Sequence, residues 1–121
     1  MSNFKLIAQQ TLSKSDLQVN RTKIEKEDVY EKELTIIAFD MVVGVDQNTG
    51  EDKLYPVIVF KELPNNYMNG GTLLNKLCVA WATEYSGDCA AASADLEASG
   101  GVKIRVMPPA RGKQYANIDI L

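Results

Sequence analysis

A chain of 121 residues has the length of one domain, the commonest size being roughly 100–150 residues. Hydrophobic residues at 45% and charged residues at 24% describe an ordinary globule and exclude a disordered or fibrous chain. A net charge of −3 with no histidine at all removes every Ser–His and Cys–His nucleophile pair and the usual zinc and non-haem iron sites.

In chain order, Met1 to Gln10 has neither the charged leader nor the apolar core of a signal peptide. No apolar run nears the roughly 20 residues of a membrane span, so a cytoplasmic protein with no membrane contact is expected. Phe4 to Ala8 predicts a short strand. Leu17-Gln18-Val19, inside a polar, turn-prone stretch, alternates like a second one. From Tyr30 to Val45 the residues are β-branched and aromatic, as strands favour. Asp46 to Gly50 is a turn, and Lys53 to Leu63 returns as the second arm of a long hairpin. Pro56 in that arm requires an edge or a bulge, because it has no N–H to donate.

Both faces of Leu34–Val45 are apolar. Odd positions carry Ile37, Phe39, Met41, Val43 and Val45, and even positions carry Leu34, Ile36, Ala38 and Val42, interrupted by Asp40. A one-sided sheet needs only one such face, so either a helix or another subunit covers the second, and barrel closure combined with a homodimer is expected. After Pro64-Asn65-Asn66 the period becomes helical. Leu73, Leu74, Leu77, Cys78, Trp81 and Tyr85 follow Gly70-Gly71-Thr72, which reads as a turn and cap. Trp81 on that stripe belongs to the core. Asp88 caps a second helix, Cys89 to Ala98, which ends at Gly100-Gly101. Cys78 and Cys89 fit neither a zinc motif nor a CxxC motif and read as small buried thiols. Val102 to Val106 and Tyr115 to Leu121 then alternate as strands.

Strands, a helical segment and two more strands make residues 1–121 a single, mainly β domain. This is the chain order of the OB-fold, a five-stranded Greek-key barrel with its helix between the third and fourth strands. Charge is unevenly spread. Glu62 to Gly101 holds Lys76 against Glu62, Glu84, Asp88, Asp95 and Glu97, whereas Val102 to Tyr115 holds Lys103, Arg105, Arg111 and Lys113 and no acid. Alternation puts Lys53, Tyr55, Val57, Val59 and Lys61 on one face of the return strand, with Leu54, Ile58 and Phe60 on the other. It also turns Lys103 and Arg105 away from the core. Arg111 and Lys113 lie on the loop between the last two strands, beside Tyr115, and in an OB-fold that loop flanks the ligand groove. Lysines with interleaved tyrosines suit single-stranded nucleic acid, whose phosphates need cations and whose unpaired bases stack on rings.

Gly70-Gly71-Thr72-Leu73-Leu74-Asn75-Lys76-Leu77, Val102-Lys103-Ile104-Arg105-Val106 and Gly112-Lys113-Gln114-Tyr115 resemble the small single-stranded DNA-binding proteins of lactococcal-type bacteriophages. The resemblance covers most of the chain in element order and length. It implies an OB-fold, dimers, and sequence-tolerant single-strand binding in phage replication or recombination within the host cytoplasm, with replication or recombination proteins as possible partners. The site expected is Lys53, Lys61, Lys103, Arg105, Arg111 and Lys113 on phosphates, with Tyr55 and Tyr115 under bases. No catalysis, metal or cofactor is expected. The alternative is an acidic phage structural or assembly protein that uses strand 34–45 as a subunit interface.

Overall fold

The computed structural model describes residues 15–45, 48–112 and 116–121. Six strands, β1 (Thr22–Ile24), β2 (Glu33–Val45), β3 (Asp52–Phe60), β4 (Leu63–Met68), β5 (Val102–Met107) and β6 (Asn117–Ile120), are joined by two helices, α1 (Thr72–Glu84) and α2 (Cys89–Ala98). The sheet order is β1-β4-β3-β2-β5-β6, antiparallel except for the parallel β1–β4 pair. β2, β3 and β4 follow one another, and β5 returns through the two helices to lie beside β2. That spatial order is a Greek key.

The architecture is mainly β, as the sequence predicts. It differs in its edges: among the described residues the sheet is open, with β1 and β6 outermost, and closure of five strands into a barrel is not among the pairings. Two strands went unforeseen. β4 was hidden because Pro64-Asn65-Asn66 looks like a break, and β1 because its three residues lie in a polar stretch. Leu17-Gln18-Val19 does not form the strand its alternation suggests: Asp16–Gln18 is a 3₁₀ turn, because Ser15 forms a capping box with Gln18. The predicted strand Phe4–Ala8 lies outside the described residues. Pro56 sits where its chemistry demands. β4 last pairs with β3 at Met68 opposite Ile58, so no strand faces Pro56 on that side, and Asn69 Nδ2 donates to its carbonyl at 3.0 Å.

β2 carries the irregularity on which the core depends. Ile36 is opposite Phe60, but Ala38 is opposite Val59 and Phe39 opposite Ile58. One extra residue, Ile37, is therefore bulged out, and a one-residue slip reverses which parity faces inward. Leu34 and Ile36 enter the core before the bulge, and Phe39 after it. They meet Ile58, Phe60, Met68, Ile104 and Val106 from the sheet, Leu74 and Cys78 from α1, and Ala92 from α2. Trp81 packs on this core as predicted, tilted at 51° with its ring centroid 5.5 Å from that of Phe39.

Three contacts hold the bulge. The Glu62 carboxylate accepts from Thr35 N–H at 2.6 Å and from Thr35 Oγ at 2.8 Å, taking the place of a strand carbonyl. Gly101, at φ +82, brings its backbone so close that a Cβ would lie 2.6 Å from the Ile36 carbonyl oxygen. Beyond the bulge, where β5 no longer pairs, Ser93 of α2 accepts from Phe39 N–H and donates to Phe39 C=O, at 3.0 and 2.9 Å.

The second apolar face of β2 and β3 is covered by the chain itself. Ser15 Oγ donates to Asp40 Oδ2 at 2.7 Å, the turn Asp16–Gln18 packs on β2 and β3, and Arg21 Nε donates to the Pro64 carbonyl at 2.9 Å. Residues 15–21 are thus a strap across three strands. Val57 and Val59, register partners of Asp40 and Ala38, are 0% and 1% exposed beneath that region.

Partial burial pushes the Glu62 pKa up. Hydrogen bonds from Thr35 and from its own N–H, with the Lys103 charge nearby, outweigh this and leave it below the ordinary carboxylate value. A depressed pKa contributes stability that is complete above the unfolded value and is lost as pH falls through the folded one. Glu62→Ala orphans the buried Thr35 N–H and should cost about 1–3 kcal/mol at neutral pH. Urea unfolding should show that difference shrinking as Glu62 becomes protonated in acid.

Candidate nucleic-acid interface

Register fixes which side chains share the face turned away from the core. Thr35 lies opposite Lys103 and Glu33 opposite Arg105, while Lys61 N–H bonds to the Thr35 carbonyl. Lys61, Thr35 and Lys103 therefore stand abreast on three adjacent chain segments, with Lys61 and Lys103 about 10 Å apart across two strand spacings. Both lysines are exposed. Arg105 lies on the same face, next along β5, its Nη2 2.7 Å from Glu33 Oε1 and its register partner on β6 being Asp119.

Each cation in this cluster has an acid close by. Glu62 sits on Thr35, between the two lysines, Glu33 holds Arg105, and Asp119 lies across from it. Glu33 and Glu62 come from distant parts of the sequence, so the surroundings of Lys103 and Arg105 are far less basic in space than in the chain. The exposed Glu33–Arg105 pair is worth at most about 1 kcal/mol, so a phosphate can displace Glu33 at little cost.

Tyr55 stands at the other end of β3, about 20 Å from Lys61 along the strand. Its half-buried ring lies across Gly44, where a Cβ would be 2.6 Å from Tyr55 Cε2; glycine at 44 is what lets the ring lie down on the sheet. The expected continuous platform from Lys53 to Lys61 is not formed, because the strap covers its middle at Val57 and Val59. Alternation on a lysine-flanked strand does not by itself mean exposure. Alternation sets only the side of the sheet, and a distant segment decides what covers it.

Of the remaining predicted residues, Arg111 is exposed in the turn after β5. Lys53 pairs with Gly44 in the ladder, and its side chain lies outside the described set, as do Lys113 and Tyr115. The structure adds two residues that the sequence did not suggest. Lys23 and Tyr67 are register partners on β1 and β4, and alternation with Ile24 and Met68 turns them to the face away from the core. Once β4 is seen to be a strand, Tyr67 is a second aromatic on that face.

Among the described residues no group of three or more His, Cys, Asp or Glu could hold a metal ion, and no helix is long and apolar enough to cross a membrane. Comparison with family models, with curated proteins and with solved structures gives no match.

The cysteines are placed for packing. Cys78 is wholly buried, and burial together with the nearby Cys89 pushes its thiol up to about 12. Cys89 is half-buried and also raised, by desolvation and by the Asp40 carboxylate. Thiols react as thiolates, so iodoacetamide at mildly alkaline pH should leave Cys78 unmodified in the folded protein and alkylate it in urea. Peptide mass spectrometry reads the difference, and equal labelling in both states would contradict the burial.

Proposed function

We propose that the protein binds single-stranded DNA without sequence preference and without catalysis, as an OB-like domain serving phage replication or recombination in the host cytoplasm. The observation that carries this reading is the row of Lys61, Lys103 and Arg105 on the outer face of a Greek-key sheet whose helices connect β4 to β5. That connectivity is the one an OB barrel uses, with β2 to β6 in the roles of its five strands. Lys53, Lys61, Lys103, Arg105, Arg111 and Lys113 track phosphates, and bases stack on Tyr55 and Tyr115, with Tyr67 available on β4. The strap divides the face, so strand and bases engage its two ends and not its centre. Glu33, Glu62 and Asp119 temper the attraction and make binding depend on low salt.

Oligo-dT titration followed by anisotropy tests this directly, with saturable binding and a clear preference over duplex of equal length, since a duplex hides the faces of its bases. Each phosphate contact to a single strand contributes a slope of about −0.7 in log K against log salt, so Lys103→Ala with Arg105→Ala should flatten it by roughly 1.4. Tyr55→Ala should cost about 1–3 kcal/mol and leave the slope nearly unchanged. Gly44→Ala should act in the same direction by lifting the Tyr55 ring. Duplex that competes equally well would refute the reading.

A second reading has its own support. Met41, Leu54, Val79 and Ala82 line a shallow apolar groove of about 330 Å³, with Leu54 and Val79 47% and 42% exposed. Past Phe39 and Met41, where α2 lies on the edge, β2 has no strand partner on the side away from β3 among the described residues. A second copy laid on this edge makes the homodimer, which serves a DNA-binding protein and a phage assembly protein alike. Light scattering at micromolar concentration should return twice the mass of one chain. A single-chain mass removes the dimer, and a dimer that ignores oligo-dT favours the assembly reading.

A further inference from the structure

On the core side of the sheet, α1 and α2 part over Phe39 and leave a half-open cleft of about 380 Å³. Phe39, Trp81, Ala92 and Leu96 provide its apolar surface, and Tyr85, Asp95 and Ser99 complete the lining. Tyr85 donates its phenol proton to Asp95 Oδ2 at 2.7 Å, which fixes the carboxylate at the cleft. The pairing shows in the phenol itself, since the hydrogen bond to Asp95, some desolvation and the carboxylate charge all raise the Tyr85 pKa. Glu84, exposed, lies three residues after Trp81 and so on the same side of α1.

A second cleft of about 350 Å³ shares Phe39 and reaches along the start of α2, where Asp16, Asp40 and Asp88 line it. Among the described residues neither cleft is lined by a lysine or an arginine. Lys61, Lys103 and Arg105 stand on the opposite face of the sheet. Aromatic and aliphatic surface with acids at both ends, and no cation among the described lining residues, selects a ligand that is apolar in the middle and positive at its flanks.

We propose that this cleft docks a basic segment of a partner protein, in which a bulky apolar side chain sits between arginines or lysines. The volume accepts one large side chain against Phe39 and Trp81, in the manner of an interface anchor. One flanking cation reaches Asp95 and the face of Trp81, which attracts a guanidinium. The other reaches Asp88 in the neighbouring cleft. The partner and DNA occupy different faces of the molecule, and the proposal does not rest on the DNA-binding reading.

Trp81 is the sole tryptophan of the chain, so its emission reports occupancy of the cleft without a label. The probe is a short acetylated and amidated peptide with phenylalanine between arginines. Its controls carry glutamate for the arginines, or alanine for the phenylalanine. Only the arginine–phenylalanine peptide should change Trp81 emission saturably, and added salt should weaken it. Asp95→Asn, which keeps an acceptor for Tyr85, should weaken binding by about fivefold, the worth of one good exposed ion pair. Asp95→Lys should abolish it. The proposal is overturned if the peptide gives no saturable change, or if the glutamate peptide acts equally. Unchanged binding in an Asp95→Asn variant with the wild-type thermal midpoint would overturn it too. No readout involves DNA, so failure here and failure of the DNA-binding reading are separable.

Discussion

The bulge at Ile37 is the constraint from which the rest of the architecture follows. A thirteen-residue strand with apolar side chains of both parities cannot bury all of them against one layer while it stays regular. Inserting one residue lets Leu34 and Ile36 face the core on one side of the irregularity and Phe39 on the other. The cost is a break in the ladder, and three unrelated groups meet it: the Glu62 carboxylate on Thr35, the side-chain-free backbone at Gly101, and the Ser93 hydroxyl on Phe39. Because β5 pairs only with Glu33–Ile36, the edge at Phe39 and Met41 is left for α2. The two helices therefore cover the end of the sheet and open the aromatic cleft there.

The same strand explains why a segment far from the proposed phosphate contacts shapes them. Apolar residues on the outer face, Val57 and Val59 above all, need a cover, and residues 15–21 provide it with few polar anchors. Burying two valines fully is worth roughly 3–6 kcal/mol, well above what the Ser15–Asp40 hydrogen bond contributes alone. The strap is held by the apolar surface beneath it, with the hydrogen bonds at Asp40 and Pro64 setting its direction. Its position splits the outer face into a tyrosine end and a lysine–arginine end.

Charge follows a related logic. The two acid-bearing helices lie on the core side of the sheet, and β5 carries Lys103 and Arg105 on the outer side. Folding also brings Glu33 and Glu62 to that strand, so the outer face is balanced where the sequence looked basic. The clefts beside α2 receive no such compensation from the described residues that line them. Around this apolar surface the described charge is therefore negative.

Much could be read from the sequence by itself, and for one physical reason: it concerned neighbours along the chain. The long hairpin, the two helices with their Asp88 cap and glycine stop, the placement of Trp81 on the core stripe and the edge demanded by Pro56 all follow from side-chain period, capping and the missing proline N–H. Mainly β architecture, with the helical segment between the long hairpin and the strand at Val102, was legible for that reason. What only the tertiary structure decided concerned residues far apart in the chain. The parity of β2 changes because a bulge is held by Glu62, Ser93 and Gly101, none of them near Ile37 in sequence. The face of Val57 and Val59 is closed by residues 15–21, Tyr67 gains its place from a strand that Pro64-Asn65-Asn66 disguises, and Arg105 finds Glu33 across the ladder. Periodicity tells which side of an element a residue takes, but what lies on that side is set by segments that meet only when the chain folds.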